Sequence, residues 1–176
     1  RVMAVLNPVK LVITNYPAGK EEILDAENSQ EDESLGYRKV PFSRELYIER
    51  EDFQEEANKN FFRLTLGTEV RLKNAYIIKG ESVVKDTAGN IMEIHCTYDP
   101  ETKSGSGFTG RKVKATLHWV SVEHAKKAEI RLYDSIYKTE GSEMVFNDQS
   151  MTILKECYVE PVLAQAKPEE KFQFYR

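Results

Sequence analysis

Cysteine is nearly absent from this sequence. Cys96 and Cys157 stand far apart and fit no metal-ligand spacing, so they read as two buried thiols in a reducing compartment. Histidine is as scarce: His95, His118 and His124 show neither metal-ligand spacing nor a partner Cys or Asp motif. His118, on the polar side of a predicted strand beside Trp119, reads as a hydrogen-bonded structural residue. No glycine-rich phosphate loop is present, because Ser104-Gly105-Ser106-Gly107 lacks the Lys-Ser/Thr end that would give it mechanism. No Ser or Cys nucleophile carries a local signature. The many carboxylates fall in loops and on one predicted helix, where solvation explains them. No apolar run approaches the roughly 18 residues that a membrane span requires, and no basic-then-apolar signal peptide opens the chain. Positive charge is not in surplus either: 25 Lys and Arg face 29 Asp and Glu, for a net charge of -4. These absences point away from catalysis, membranes and bulk attraction to nucleic acid. The chain reads as a binder.

The 176 residues suffice for one ordinary domain or two small ones. A hydrophobic content of 40%, with 8 Phe, 9 Tyr and a single Trp, supports a real core. Alternating apolar and polar residues predict strands over 9–14, 37–48 (one or two), 70–78, 81–85, 91–98, 112–119, 151–159 and 172–175. Residues 81–85 and 91–98 are expected to pair across the turn Asp86-Thr87-Ala88-Gly89-Asn90. Ala128, Ile130 and Leu132 form an expected inward row opposite Glu129, Arg131 and Tyr133. Helices are few: Glu51–Phe61, acid-rich at its start, is the best candidate, and 122–127 and 161–166 each make a turn or two. Many short strands between turn signals predict a mainly β fold of antiparallel barrels. Two barrels, 1–100 and 101–176, fit better than one, with Trp119 buried or at their junction. Residues 20–34 carry seven acids and read as a mobile surface loop. The chain opens on a strand-like run without an initiator Met and ends on an alternating one, as a piece of a longer protein would.

The stretch Asn58–Lys79 places cations on strand faces. Leu64 and Leu66 fall on one side, Arg63 and Thr65 on the other; Arg71 and Lys73 then project together opposite Val70 and Leu72. A few placed cations on an acidic background suggest recognition of one shaped anion.

Several segments carry a resemblance, in order and over essentially the whole chain: RVMAVLNPVKLVI, YRKVPFS, YIEREDFQEEANKNFFRL, GTEVRLKNAYIIK, IHCTYDPET, GRKVKATLHWVS, AEIRLYD and KFQFYR. Together they resemble the C-terminal anticodon-binding region of the glutaminyl-tRNA synthetase family. The archaeal and eukaryotic type of glutamyl-tRNA synthetase is the close alternative. The resemblance implies two antiparallel six-stranded β-barrels, related by duplication and exchanging strands, as in ribosomal-protein-like barrels. It implies a cytoplasmic, monomeric parent whose upstream catalytic domain attaches glutamine to its tRNA with ATP and Mg²⁺. The ATP-site signatures, of the His-x-Gly-His and Lys-Met-Ser-Lys types, are absent here, so the region itself is expected to have no cofactor and no chemistry. The implied partner is the anticodon loop of glutamine tRNA, its bases splayed into separate pockets. Arg71 corresponds to a cation at the first base and its phosphate, with Lys73 beside it where Arg can stand. Arg63 matches the reader of the third base, Arg1 and Gln173 the central U pocket, and Arg176 a further terminal cation. Asn60 lies near the pockets, and Asn28 is available from the 20–34 loop. Phe62 departs from a Lys, and Tyr175 from an acidic residue. Two other classes compete: a barrel gripping ribosomal RNA, which the net charge of -4 opposes, and a protein-interaction barrel.

Overall fold

The computed structural model describes residues 1–175. It is mainly β, with short 3-10 turns and no long helix. The strands are β1 (Ala4–Val5), β2 (Pro8–Ile13), β3 (Glu22–Glu27), β4 (Tyr37–Phe42), β5 (Glu45–Glu49), β6 (Glu69–Leu72), β7 (Ile77–Lys85) and β8 (Ile91–Tyr98). They continue with β9 (Thr116–Leu117), β10 (Val120–Ser121), β11 (Lys126–Tyr133), β12 (Tyr137–Glu140), β13 (Glu143–Phe146) and β14 (Met151–Val159). A seven-stranded sheet runs β10-β5-β2-β8-β7-β6-β9 and curls as a half-barrel; a second runs β1-β14-β11. Two hairpins, β3-β4 and β12-β13, complete the pairing. Strands cross the expected 100/101 division in both directions. β1, from the start of the chain, joins the late sheet, while β9 and β10 join the early one. The Tyr47 and Tyr158 rings stack at 4.3 Å between β5 and β14, holding the two sheets together.

The core gathers around Trp119, which is fully buried, as expected. Phe42 meets its ring edge-on at 5.1 Å, and Tyr16 meets Phe42 at 5.3 Å. The Trp119 indole nitrogen donates to the Lys73 carbonyl at 2.8 Å, so its one polar atom is satisfied. Cys96 and Cys157 are buried free thiols, and burial pushes Cys96 up to about 12, far from the reactive thiolate range. The turn at Asp86–Asn90 closes the β7-β8 hairpin as expected, with Gly89 at φ +85°. Gly80 answers a different need: a Cβ there would lie 2.5 Å from the Thr65 carbonyl oxygen, where β7 presses against the 65–68 turn.

Several expectations are corrected. Residues 51–61 do not form a helix. Only Arg50–Asp52 makes a 3-10 turn, and Phe53 then bridges Leu64, because burying both side chains requires extended backbone. Residues 20–34 are not simply a loop. Glu22–Glu27 pairs with β4, and Leu24 and Ala26, overlooked among the acids, point into the core. The run 70–78 breaks at Asn74, whose φ of +59° turns the chain between β6 and β7. From 112–119 only Thr116–Leu117 is strand, and around Phe172–Tyr175 only the bridge between Val2 and Phe174 forms. The 122–127 turn is brief, since β11 already starts at Lys126. Of the expected inward row on β11, Leu132 is exposed, because there β11 and β14 leave the core as a ribbon tipped by β12-β13. Tyr133, Met144 and Phe146 stand exposed along that arm.

Two charge networks that sequence spacing does not reveal, one partly buried and one buried, brace this fold. Glu22 accepts from the hydroxyls of Tyr16 and Tyr76, each at 2.8 Å, and from the Lys103 ammonium at 3.0 Å. Burial alone would raise its pKa. The bonds from Tyr76, Lys103 and Tyr16 outweigh burial and hold the carboxyl below its usual value of 4.5. A carboxylate depressed in this way contributes stability above its unfolded pKa and loses it as pH falls through the folded one. Glu22→Gln is therefore expected to cost about 2 kcal/mol at pH 7, the scale of hydrogen bonds to a charged group. In urea denaturation the gap to the parent should narrow steadily below pH 4.5; a gap independent of pH would contradict this account.

The second network is the forked pair of Arg38 and Glu160, with Nε to Oε2 at 2.6 Å and Nη2 to Oε1 at 2.5 Å. Their side chains are only 9% and 1% exposed, so each would be an uncompensated buried charge alone. Arg38→Met or Glu160→Gln singly should cost about 3–5 kcal/mol. Replacing both with apolar residues should recover most of that loss in a denaturation double-mutant cycle; strictly additive losses would show that the two groups do not act as a pair.

Candidate nucleic-acid interface

The ends of the described chain meet. Val2 N–H donates to the Gln173 carbonyl at 2.8 Å, and Tyr175 N–H donates back to the Val2 carbonyl at 3.1 Å. This short parallel pairing sets Arg1 beside Gln173, and Arg1 Nε donates to Gln173 Oε1 at 2.9 Å. The same guanidinium reaches the Gln30 amide oxygen and lies 3.3 Å from the Glu31 carboxylate. Asn28 anchors the base of this loop: its amide nitrogen donates to the Leu35 carbonyl at 2.8 Å, so its side chain is engaged in holding the turn.

Lys73 completes the cluster. Its ammonium lies 3.1 Å from Glu27 Oε1 and 5.1 Å from the centre of the Tyr175 ring. The Tyr175 hydroxyl is buried without a hydrogen-bond partner among the described residues. Burial first, and then the Glu27 charge, raise the Tyr175 pKa, so it remains a neutral phenol. Arg1, Lys73, Gln173 and Tyr175 thus share one patch, although in sequence one stands at the start, one in the middle and two at the end.

Arg71 is turned partly inward. Its Nη1 donates to the carbonyls of Thr102 at 2.8 Å and Ala75 at 3.3 Å, and contacts Ser104 Oγ at 3.1 Å. All three bonds use one nitrogen, so the Arg71 fork pins the 99–104 loop through one tip. Burial, aided by the nearby Arg111 charge, lowers its pKa from the arginine range. Arg63 is half exposed and pairs with the buried Asp52 carboxylate. Burial raises the Asp52 pKa against the opposing pull of Arg63. Arg63 lines a hollow of about 760 Å³ with Asp52, Glu49, His118, Phe174 and Tyr175, which connects it to the patch at the chain ends. Asn60 sits exposed three residues before it. Arg176 lies outside the described residues.

His118 is buried, with Nε2 3.5 Å from Glu49 Oε1, too distant for a good hydrogen bond. Glu49 instead accepts the backbone N–H groups of Leu6 at 2.6 Å and Asn7 at 2.9 Å, fixing the turn between β1 and β2. On another face Glu21, Glu123 and His124 bring their polar atoms within 4.8 Å of one another, a convergence that the separate histidines do not reveal in sequence.

Among the described residues, the expected cations share one property that their spacing does not reveal: each is already engaged. Arg1 faces Glu31, Lys73 faces Glu27 and Arg63 faces Asp52, while Arg71 holds carbonyls. Sequence spacing announces few of these partners: Asp52 and Ala75 are near in sequence, but Glu31, Glu27 and Thr102 are at least thirty positions from the cations they engage. Any anionic ligand would have to exchange with protein groups at each site, which favours one of matching shape over any polyanion.

Known proteins place the chain in a family. Residues 1–99 and 116–176 match two families, each described as tRNA synthetases class I (E and Q), anti-codon binding domain. The glutamine–tRNA ligase of Clostridium perfringens is 55% identical over 183 residues, covering 100% of this chain and 33% of that protein. Those of Clostridioides difficile and Rhodopirellula baltica are 55% and 52% identical, covering 99% and 100% of this chain and 33% and 31% of theirs. The chain thus spans about a third of the length of these curated relatives. With anticodon-binding descriptions matching both of its halves, the chain belongs to the anticodon-binding domain family of the class I (E and Q) tRNA synthetases.

Proposed function

We propose that this chain is the anticodon-reading region of a glutamine–tRNA ligase, whose upstream catalytic domain attaches glutamine to its tRNA using ATP and Mg²⁺. The single observation that carries this reading is the meeting of Arg1 and Gln173, joined at 2.9 Å across 172 positions of sequence. A carboxamide offers both a donor and an acceptor to the Watson–Crick edge of an unstacked uracil, and an adjacent guanidinium adds charge for its phosphate. Relatives at 50% identity or more bear the glutamine name, which supports glutamine over glutamate. Neither ATP signature lies in this sequence, so ATP and Mg²⁺ would be held upstream. The parent is taken as a cytoplasmic monomer with two barrels, 1–100 and 101–176, presenting these residues.

Arg63 reads the third base. Guanine offers two acceptors on one edge, and the Arg fork meets both once it leaves Asp52. Arg71 takes the first base through the tip not used on the 99–104 loop. Lys73 contributes a point charge near phosphate, and Asn60 borders the same path.

In the full-length protein, Gln173→Ala should weaken preference at the central anticodon base, Arg63→Ala at the third and Arg71→Ala at the first. Each should lose about ten- to a hundredfold in discrimination, the worth of one good base contact. Lys73→Ala should weaken binding evenly and reduce its salt dependence. The measurement is aminoacylation efficiency on tRNAs differing at one anticodon base. Equal losses for Arg63→Ala on every tRNA would make Arg63 a structural residue.

A further inference from the structure

Beside Arg63 lies a second hollow, of about 470 Å³, that the contacts above do not use. Phe62 is on its wall and is 57% exposed, although an aromatic ring of that size gains from burial. The Lys114 ammonium sits 5.5 Å from the centre of the ring, and Lys59 and Lys112 line the same hollow. None of these three lysines makes an ion pair among the described residues. The one acid in the hollow, Glu69, is occupied by the Arg111 fork at 2.8 and 2.9 Å. An exposed aromatic ring, with Lys114 over one face and further lysines unpaired among the described residues beside it, is the chemistry that holds a single-stranded base and its phosphates.

Resting on the anticodon reading, we infer that Phe62 is the stacking platform for the base whose edge Arg63 reads, with Lys59, Lys112 and Lys114 on the flanking phosphates. Both side chains line this hollow, so one can present the π-face while the other meets the base edge. The division of labour is specific. Stacking is tolerant of base type because every base has a π-face, so Phe62 supplies affinity and Arg63 supplies preference.

The test is a cycle in the full-length protein, crossing Phe62 variants with glutamine tRNA that is intact or abasic at the third anticodon position. Phe62→Ala should weaken binding about tenfold on intact tRNA, within the range for one stacked base, and less than twofold on the abasic one. Phe62→Tyr should bind as the parent does, while Phe62→Leu, still apolar but unable to stack, should lose most of the affinity. Preference among third bases should survive Phe62→Ala. Equal losses on intact and abasic tRNA, or no loss on either, would overturn the platform. The parent then still preferring the glutamine anticodon over a scrambled loop would leave the anticodon reading standing. Absence of that preference would overturn both.

Discussion

The buried fork between Arg38 and Glu160 is the constraint on which the patch at the chain ends depends. Arg38 lies on β4 and Glu160 just past the end of β14, so the pair locks the β3-β4 hairpin to the last long strand. Glu160 also accepts the Met3 N–H at 2.9 Å, which fixes the start of the chain against the same carboxylate. Arg38 in turn donates to the Glu27 carbonyl at 2.8 Å, and the Glu27 side chain holds Lys73. Arg1, Gln173, Lys73 and Tyr175 are thus positioned by segments that converge on one ion pair. Such a pair brings little net stability compared with an apolar replacement; what it imposes is one geometry, since any other leaves a buried charge alone.

On the proposed reading, a patch built this way recognises by exchange. Arg1, Arg63, Arg71 and Lys73 each have a partner inside the protein, and the net charge of -4 gives polyanions no general reason to approach. Swapping one partner for another yields less affinity than meeting a free cation would. It also penalises any ligand that displaces the acid without replacing its contacts. The lysines around Phe62 differ because none of them pairs with an acid among the described residues, and on the inference drawn above the weight of unselective attraction falls there. Separating paired, selective cations from unpaired, unselective ones reconciles an acidic protein with RNA recognition.

Much of this was legible in the sequence, and the failures follow a pattern. Period-two alternation identified β2, β4, β5 and β14, and the Asp86–Asn90 turn identified the β7-β8 hairpin, because those signals are local. Burial of Trp119 and the exposed side of Arg63 followed from the same alternation. Acid-rich composition misled twice. In 51–61 the acids suggested a helix start, but Phe53 and Leu64 must both reach the core. In 20–34 the acids concealed Leu24 and Ala26, whose spacing of two was the usable strand signal. The Arg38–Glu160 fork spans 122 positions and the Arg1–Gln173 contact 172, so no spacing rule reaches them. The second of these was reached only through family resemblance.

The central claim, that the paired ends of this chain form the pocket for the middle anticodon base, is most directly tested by photo-crosslinking. Glutamine tRNA with 4-thiouridine at that position would be irradiated in complex with the full-length protein and the labelled peptides sequenced. The account predicts crosslinks in two distant segments, around Arg1 and around Gln173–Tyr175, both reduced when Arg38 and Glu160 are uncoupled. Labelling confined to other surfaces, such as the β12-β13 ribbon or the β7-β8 hairpin, would contradict it.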